Sequence, residues 1–239
     1  MIFIGIDDTD NKESRGTGHM SRMLAQELRS EIEVYGITRH QLLVDPRIPY
    51  TAKNSCAALH INANGSTANG GTTSGGIDLT ALAERVADFV QSESAPGSDP
   101  AICVAQDVPR EVSEFGRRVQ RDVVTQDEAR SLAQRHGIIL RGLGGTEDGV
   151  IGALASVGLA ATGHDGRFVS LGSVRQLDGQ QSIEAILASG VAEVRDLDDR
   201  RVISGKVATG GKLRPALREG IPILYVKREA TGWLPLKLD

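Results

Sequence analysis

The sequence predicts an α+β fold, with a mixed-sheet α/β fold as the alternative. Short apolar strands bounded by glycine, proline or aspartate are interspersed with amphipathic segments, in an order too irregular for a doubly wound fold. No repeat of fixed period is present. The 239 residues are enough for one large domain or two small ones. We therefore expect a globular α+β protein with one or two cores.

The first elements are a strand, a helix and further strands. The apolar run Ile2–Ile6 predicts a short strand, and a helix begins at Thr17, a good N-cap residue followed by apolar residues at helical spacing. Residues 32–37 and 41–44 are strand material. Two prolines keep residues 45–50 out of a helix and predict an extended segment.

The middle of the chain predicts two strands separated by a long loop and a helix. Cys56–Ile61 is the first strand, and the uncharged Gly, Ser, Thr and Asn tract of Asn64–Gly76 is typical of a flexible loop. Asp78–Val90 is an amphipathic helix. Residues 92–100 are expected to be a linker, and Ala101–Ala105 a short buried strand.

In the second half, Thr125 and Glu128 form a capping box that opens a helix ending at Gly137. Ile138–Leu140 predicts a strand, and Val150–Leu159 is an apolar helix that must be covered on most sides. Further strands and one short helix are expected beyond residue 160. The strands are near Phe168–Leu171, Val191–Val194, Val202–Val207 and Ile221–Val226, and the helix is near Ser182–Leu187.

Composition and charge argue against several classes of protein. Aromatic residues make up 3% and the net charge is −4, which disfavours stacking platforms for single-stranded nucleic acid and a generally basic nucleic-acid binder. Cys56 and Cys103 lie outside any C-x-x-C pattern, so no zinc ribbon is expected. No apolar run reaches the roughly 20 residues of a membrane helix, and acids at Asp7 and Asp8 come too early for a signal peptide. We expect a cytoplasmic protein without a membrane partner.

Three carboxylates, Asp7, Asp8 and Asp10, follow the first predicted strand. An apolar strand that ends in acids is a common way to hold a divalent cation at the edge of a sheet. Mg²⁺ usually takes one or two carboxylates and completes its coordination with water and phosphate, which leaves one aspartate to act as base or orienter. A solvated aspartate-rich turn is the alternative.

The segment Gly142–Gly149 connects a predicted strand to the apolar helix. Amides around Gly144, Gly145 and Gly149 could approach a phosphate, and the helix start would add its positive end. The pattern is neither G-x-G-x-x-G nor a P-loop. A glycine turn that lets a buried helix pack closely is the alternative.

A second phosphate-binding candidate stands at the start of the first helix. The amides of Gly16, Thr17 and Gly18 could hold phosphate, and His19 could act as general base, phosphate ligand or structural residue. Lys53 follows the proline-containing segment and could neutralise phosphate charge, with an exposed lysine as the alternative.

Three segments, in order, resemble motifs of one family, the archaeal agmatinylcytidine synthetases. They are Gly5–Asp10, Asp45–Tyr50 and Gly149–Ala155, and the tail Ile221–Val226 resembles that family's closing strand. The family uses ATP and agmatine to modify the anticodon cytidine of an isoleucine tRNA. The resemblance covers most of the chain. It implies a kinase-like domain joined to a ferredoxin-like domain. The acidic motif Gly5–Asp10 would then bind magnesium and the ATP phosphates.

The chain departs from that family in several places. Where the family has Gly-x-Cys-Thr-Thr, including a threonine that is phosphorylated, this chain has Gly16–Met20, with His19 at that threonine's position. The family's Tyr-Lys-Thr-Arg-Gly-Asn becomes Tyr50–Ser55, which keeps only Lys53 as a basic residue. The family's OB-fold and zinc-ribbon regions are not matched. These departures argue against tRNA as the acceptor and leave the nucleotide site credible.

The sequence therefore predicts a phosphotransferase or ligase that uses magnesium and ATP. Its predicted catalytic residues are Asp8, His19 and Lys53, and its acceptor is an unidentified small molecule or RNA rather than tRNA. Residues 1–165 are the predicted kinase-like region and residues 166–239 the ferredoxin-like region. A nucleotide-binding module without catalysis and a metal-dependent phosphoesterase are the alternatives. A homo-oligomer is left open.

Overall fold

The computed structural model describes residues 1–51, 53–62, 76–230 and 232–238. All but the last residue of the predicted loop Asn64–Gly76 lies outside them. The chain divides into two compact units, Met1–Thr162 (unit 1) and Gly163–Asp239 (unit 2). Both units combine strands with helices, so the predicted α+β class is confirmed. Kinase-like and ferredoxin-like remain predictions for the two regions.

Unit 1 is built on a mixed sequence of strands and helices. Its elements are β1 Ile2–Asp7, α1 Thr17–Leu28, β2 Val34–Gln41, β3 Ser55–Ile61, α2 Leu79–Glu93, β4 Ala101–Gln106, α3 Arg110–Val119, α4 Gln126–Arg135, β5 Ile139–Gly142 and α5 Gly149–Ala161. The strands follow the order β5-β4-β1-β3-β2, and each neighbouring pair is antiparallel. The acids that end β1 therefore leave the sheet from its central strand.

Alternation along β1 assigns its side chains to two faces of the sheet. Phe3, Gly5 and Asp7 share the face against which α5 packs, while α1 and α2 contact the other face. A Cβ on Gly5 would overlap the carbonyl oxygen of Ala153, and a Cβ on Gly152 would overlap the Asp7 carboxylate. Glycine at these two positions therefore lets α5 lie directly on β1.

Helix α3 was not predicted from the sequence. It buries Val112, Phe115 and Val119 at helical spacing and packs against α5. This covers α5 on the side away from the sheet, which is why a helix that is apolar all round is stable there. The capping box of α4 is confirmed, since Thr125 and Glu128 bond each other's backbone amides.

The segment after β2 differs from the prediction. A single strand, Val34–Gln41, replaces the two expected strands, and residues 42–44 lie outside it. The amide of Leu42 instead donates to Asn54 O (3.0 Å). Residues 45–50 contain a turn, closed by Ile48 N to Asp45 O at 3.0 Å, rather than a fully extended segment.

Unit 2 is mainly β-structure. Its elements are β6 Arg167–Leu171, β7 Gln180–Ser182, α6 Ile183–Ala188, β8 Glu193–Arg195, β9 Lys206–Ala208, β10 Ala216–Arg218, β11 Ile221–Glu229 and β12 Gly232–Pro235. The strand order is β6-β10-β11-β12-β9-β7, and β8 pairs in parallel with β11. Three short strands, β7, β10 and β12, were not predicted, and the strand expected over residues 202–207 begins only at Lys206. In the part of the chain that is described, no helix is long and apolar enough to span a bilayer.

A chain of polar side chains is buried between β2 and β3. The hydroxyl of Thr38 lies 2.8 Å from Nε2 of His40 and 2.8 Å from Nε2 of His60, and all three residues are buried. A hydroxyl has a single proton to donate, so at least one of the two imidazole nitrogens donates to Thr38. The network joins β2 to β3 within the core.

The His60 imidazole should make the fold sensitive to acid. Burial, followed by the nearby His40, lowers the pKa of His60 from 6.5 to about 3. Below pH 6.5 the unfolded chain binds a proton at His60 that the folded chain does not, so the contribution of His60 to stability falls as the pH falls towards 3, by about 1.4 kcal/mol per pH unit. We expect His60→Gln, which keeps a hydrogen-bonding group near Thr38, to remove this slope. Urea unfolding of both proteins between about pH 7 and 4 tests this; parallel curves would contradict it.

Candidate functional site

A cleft opens in unit 1 where β1 ends and α5 begins. It has a volume of about 170 Å³. Its acidic lining consists of Asp7, Asp8, Asp10, Asp122 and Asp148. Its apolar wall includes Leu42, Ile48, Tyr50, Val119, Val123, Val124 and Ile151, and Arg47 and Lys53 are its basic residues. The cleft thus combines an acidic end with an apolar wall.

Asp7 ends β1 and faces the first turn of α5. Its carboxylate lies against Gly152, whose missing side chain makes room for it. Burial, followed by the charges of Asp8 and Asp10, raises the pKa of Asp7 to about 8. A carboxyl group held in this way is poised to exchange its proton for a cation.

Asp8 adopts a left-handed backbone conformation, with φ of 51°. Such a conformation is uncommon for a residue with a side chain, although aspartate tolerates it better than most. Burial, then the charges of Asp99 and Asp10, raises the pKa of Asp8 to about 6, and Asp148 contributes in the same direction. A carboxyl group perturbed by burial and by several specific charges in a cleft is a functional-site candidate.

Asp10 is bonded to two other parts of unit 1. Its Oδ1 accepts from the amide and the hydroxyl of Thr17, both at 3.2 Å, and its Oδ2 accepts from the hydroxyl of Thr51 at 2.7 Å. Gly16, the N-cap residue of α1, has no side chain to cap the helix, so Asp10 supplies this function from outside it. Asp10 is therefore suited to orient the cleft.

The glycine loop, residues 142–149, is hydrogen-bonded to Asp99. Asp99 accepts from the amide of Thr146 at 2.7 Å and from its hydroxyl at 2.6 Å, and Gly145 lies directly against this carboxylate. The amide of Gly149 donates to the carbonyl oxygen of Asp99 (3.2 Å). Gly149 lines the cleft, whereas Gly144 and Gly145 are not among the described residues that line it.

The start of α1 contributes one residue to the cleft. Thr17 lines it, while Gly16, Gly18 and His19 are not among its described lining residues. His19 lies in the first turn and its amide donates to Gly16 O at 2.7 Å. Partial burial, and then the charges of Arg15 and Arg22, lower the pKa of His19. The lowered pKa favours the neutral form of the imidazole.

The two basic residues of the cleft differ in their contacts. Arg47 forms two hydrogen bonds to the Asp45 carboxylate, both at 2.8 Å. Lys53 is exposed at the cleft. Lys53 is thus the more available of the two cations for a phosphate group.

The carboxylates do not form a ready-made metal cage. Within the described residues, no three His, Cys, Asp or Glu side chains form a group that could hold a metal ion. Because Mg²⁺ uses one or two protein carboxylates and takes its remaining ligands from water and phosphate, a pair suffices. Cys56 and Cys103 are both buried, and they are not joined by a disulfide bond.

Several residues of the site were missed from the sequence. Asp148 precedes α5 and accepts from Gln126 Nε2 at 2.6 Å, and Asp99 lies in the predicted linker. Thr51 reaches Asp10 across 41 positions of the chain. An acid directly before an apolar helix was the available signal for Asp148, whereas Asp99 and Thr51 had none.

Residues 3–144, more than half of the chain, match a family model described as the TiaS TCKD domain. Two curated relatives are both named tRNA(Ile2) 2-agmatinylcytidine synthetase TiaS. The protein from Cenarchaeum symbiosum is 26% identical over 161 residues, which cover 66% of this chain and 33% of that protein. The protein from Pyrococcus horikoshii is 27% identical over 198 residues, which cover 81% of this chain and 43% of that protein. The chain thus spans less than half of the length of these relatives.

Solved structures give the same result at the level of the fold. The complex of TiaS with tRNA(Ile2) and ATP is similar with a TM-score of 0.54 and 21% identity, covering 66% of this chain and 36% of that one. Apo TiaS is similar with a TM-score of 0.53 and 20% identity, covering 66% and 35%. These likenesses show a shared fold.

Proposed function

The chain belongs to the TiaS TCKD domain family, and we propose that it is a magnesium- and ATP-dependent phosphotransferase or ligase. Two related structures are named as complexes of TiaS, one with tRNA(Ile2) and ATP and the other with tRNA(Ile2), AMPCPP and agmatine. The observation that carries the proposal is the placement of Asp7 and Asp8 at the end of β1, facing the first turn of α5 in a cleft with an apolar wall.

Asp7 and Asp8 fit a magnesium ion that is shared with a nucleotide. Both carboxylates crowd other acids in a partly buried place, with Asp148 also close enough to raise the pKa of Asp8. A divalent cation would offset this repulsion, and oxygen ligands are those that Mg²⁺ prefers. When bound, it would neutralise charge on the ATP phosphates. We assign Asp10 the orienting role, because Thr17 and Thr51 already occupy its oxygens.

The remaining residues of the cleft have separable tasks. Lys53 offsets phosphate charge at the rim, and the apolar wall with Tyr50 accommodates the nucleobase. The amides of Thr17 and Gly149 are already bonded to Asp10 and Asp99, so they contribute less to phosphate binding than free amides would. Catalysis then rests on positioning and charge neutralisation, as phosphoryl transfer generally does.

We propose an acceptor other than tRNA. His19 has no hydroxyl to receive a phosphoryl group, and it is absent from the described lining of the cleft. Lys53 is the only basic residue in Tyr50–Ser55. In each of these features the chain departs from the motifs of the agmatinylcytidine synthetases, which it otherwise resembles.

Isothermal titration of ATP with and without magnesium tests the proposal. We expect the wild type to bind ATP more tightly with magnesium, and Asp8→Asn to weaken this magnesium-dependent binding by at least about tenfold, because it removes one charge from the metal site. Asp88→Asn, on the exposed side of α2, is the matched control.

Failure of the wild type to bind ATP under either condition would refute the proposal. If ATP binds but no phosphoryl transfer occurs to any of a panel of amines, small acids and RNA, a binding module without catalysis is favoured. Release of phosphate from simple esters without added nucleotide would favour a phosphoesterase.

A further inference from the structure

The segment Ala95–Asp99 contacts the acid motif, residues 7–10, along its length. The amide of Ala95 donates to Thr9 O at 3.0 Å, and Asn11 Nδ2 donates to Pro96 O at 3.2 Å. At the far end of the segment, Asp99 lies close enough to Asp8 for its charge to raise the pKa of the Asp8 carboxyl group. The predicted linker is therefore a support for the acid motif.

The same segment also holds the glycine loop. The Asp99 carboxylate accepts two bonds from Thr146, and its carbonyl oxygen accepts from Gly149 at 3.2 Å. Gly145 has φ of 63°, and any Cβ there would overlap Asp99 Oδ1. The loop thus bonds to Asp99 at three points, while the other end of the same segment bonds to Thr9 and Asn11.

We propose that Asp99 is a positioning residue that couples the glycine loop to the acid motif; its effect on ligand binding rests on the proposed function above. The side chain of Asp99 is fixed by Thr146, and this fixes the segment Ala95–Asp99, whose bonds hold the backbone around Asp8. Residues that orient a metal ligand in this way affect metal affinity without touching the metal. Asp8 depends on such support because its backbone conformation is itself unfavourable.

Two variants separate geometry from charge. Asp99→Ala removes both bonds to Thr146. Asp99→Asn keeps an oxygen for the Thr146 amide and offers an NH₂ group to the Thr146 hydroxyl. The Asn variant should therefore retain the positioning that the Ala variant loses.

Hydrogen exchange of the full-length protein, without ligand, is the first measurement. We expect Asp99→Ala to speed exchange in peptides covering residues 142–150 and, at the same time, residues 5–12, whereas Asp99→Asn leaves both near wild type. Gln91→Ala is the matched control, because Gln91 Nε2 donates to Leu143 O (3.1 Å) in the same loop but has no bond to the acid motif. It should speed exchange in residues 142–150 alone.

Titration of ATP is the second measurement. We expect Asp99→Ala to weaken magnesium-dependent ATP binding by about tenfold and to leave ATP binding without magnesium unchanged. Asp99→Asn should restore most of the lost affinity. A merely structural role would instead weaken binding equally under both conditions.

Each outcome decides the inference. Faster exchange in the glycine loop without a change in residues 5–12 would overturn it, as would an Asn variant as impaired as the Ala variant. If the wild type binds no ATP at all, the proposed function fails, and the exchange experiment still decides whether Asp99 couples the two segments.

Discussion

Replacing Gly152 with alanine is expected to weaken magnesium-dependent ATP binding by about 100-fold. A Cβ at this position would lie 3.0 Å from Asp7 Cβ and would overlap the Asp7 carboxylate. Alanine is the better helix former by about 1 kcal/mol, so the expected loss comes from this clash alone. Misplacing a reacting group by about 1 Å can cost about 100-fold, and we expect a loss of that size in ATP affinity with magnesium.

Titration with and without magnesium measures this loss, with far-UV circular dichroism to verify that the variant is folded. Gly76→Ala is the control, since a Cβ at Gly76 would meet no atom within 4 Å. Unchanged affinity in Gly152→Ala would mean that the position of Asp7 does not matter for ATP binding, and it would remove Asp7 from the proposed metal site.

The second large effect is expected on stability, from Gly5→Ala. A Cβ on Gly5 would overlap the backbone carbonyl of Ala153 and the hydroxyl of Ser156 on α5. Neither the central strand nor a buried helix can shift cheaply, and overpacking of this kind costs about 1–3 kcal/mol or more. For a unit of this size we expect the Tm to fall by roughly 4–10 °C.

Calorimetry of the wild type and the variant tests this expectation. Gly18→Ala is the matched control, because the nearest atom to its new Cβ, Arg22 Nη1, would be 3.9 Å away. Alanine within α1 should leave the Tm unchanged or raise it. A Tm for Gly5→Ala equal to that of Gly18→Ala would show that α5 can move away from β1 without cost.

The sequence by itself determined the elements whose signals are local. The apolar run that forms β1, the capping box at Thr125 and the glycine stop after α4 each depend on residues within a few positions of one another. The amphipathic helix α2 also needs only its own periodicity. These interactions form wherever the segment lies, so the chain alone predicts them.

Prediction was weakest where short segments depend on their neighbours. The strands β7, β10 and β12 have three or four residues each, too few for a periodic pattern. These strands form because adjacent strands supply hydrogen-bonding partners for their backbone groups. Helix α3 was missed for a different reason, since its apolar residues at helical spacing were present in the sequence but were not recognised.

The site itself divides in the same way. Asp7, Asp8 and Asp10 stand together in the sequence, so their proximity was predictable from the chain alone. The tertiary structure gave them different contacts: Asp7 meets Gly152, Asp8 lies near Asp99, and Asp10 meets Thr17 and Thr51. These partners are brought close by strand register and helix packing, which act over distances in the chain that no local pattern spans. The sequence thus determined which acids gather at the end of β1, and only the fold decided that Asp10 is hydrogen-bonded to Thr17 and Thr51.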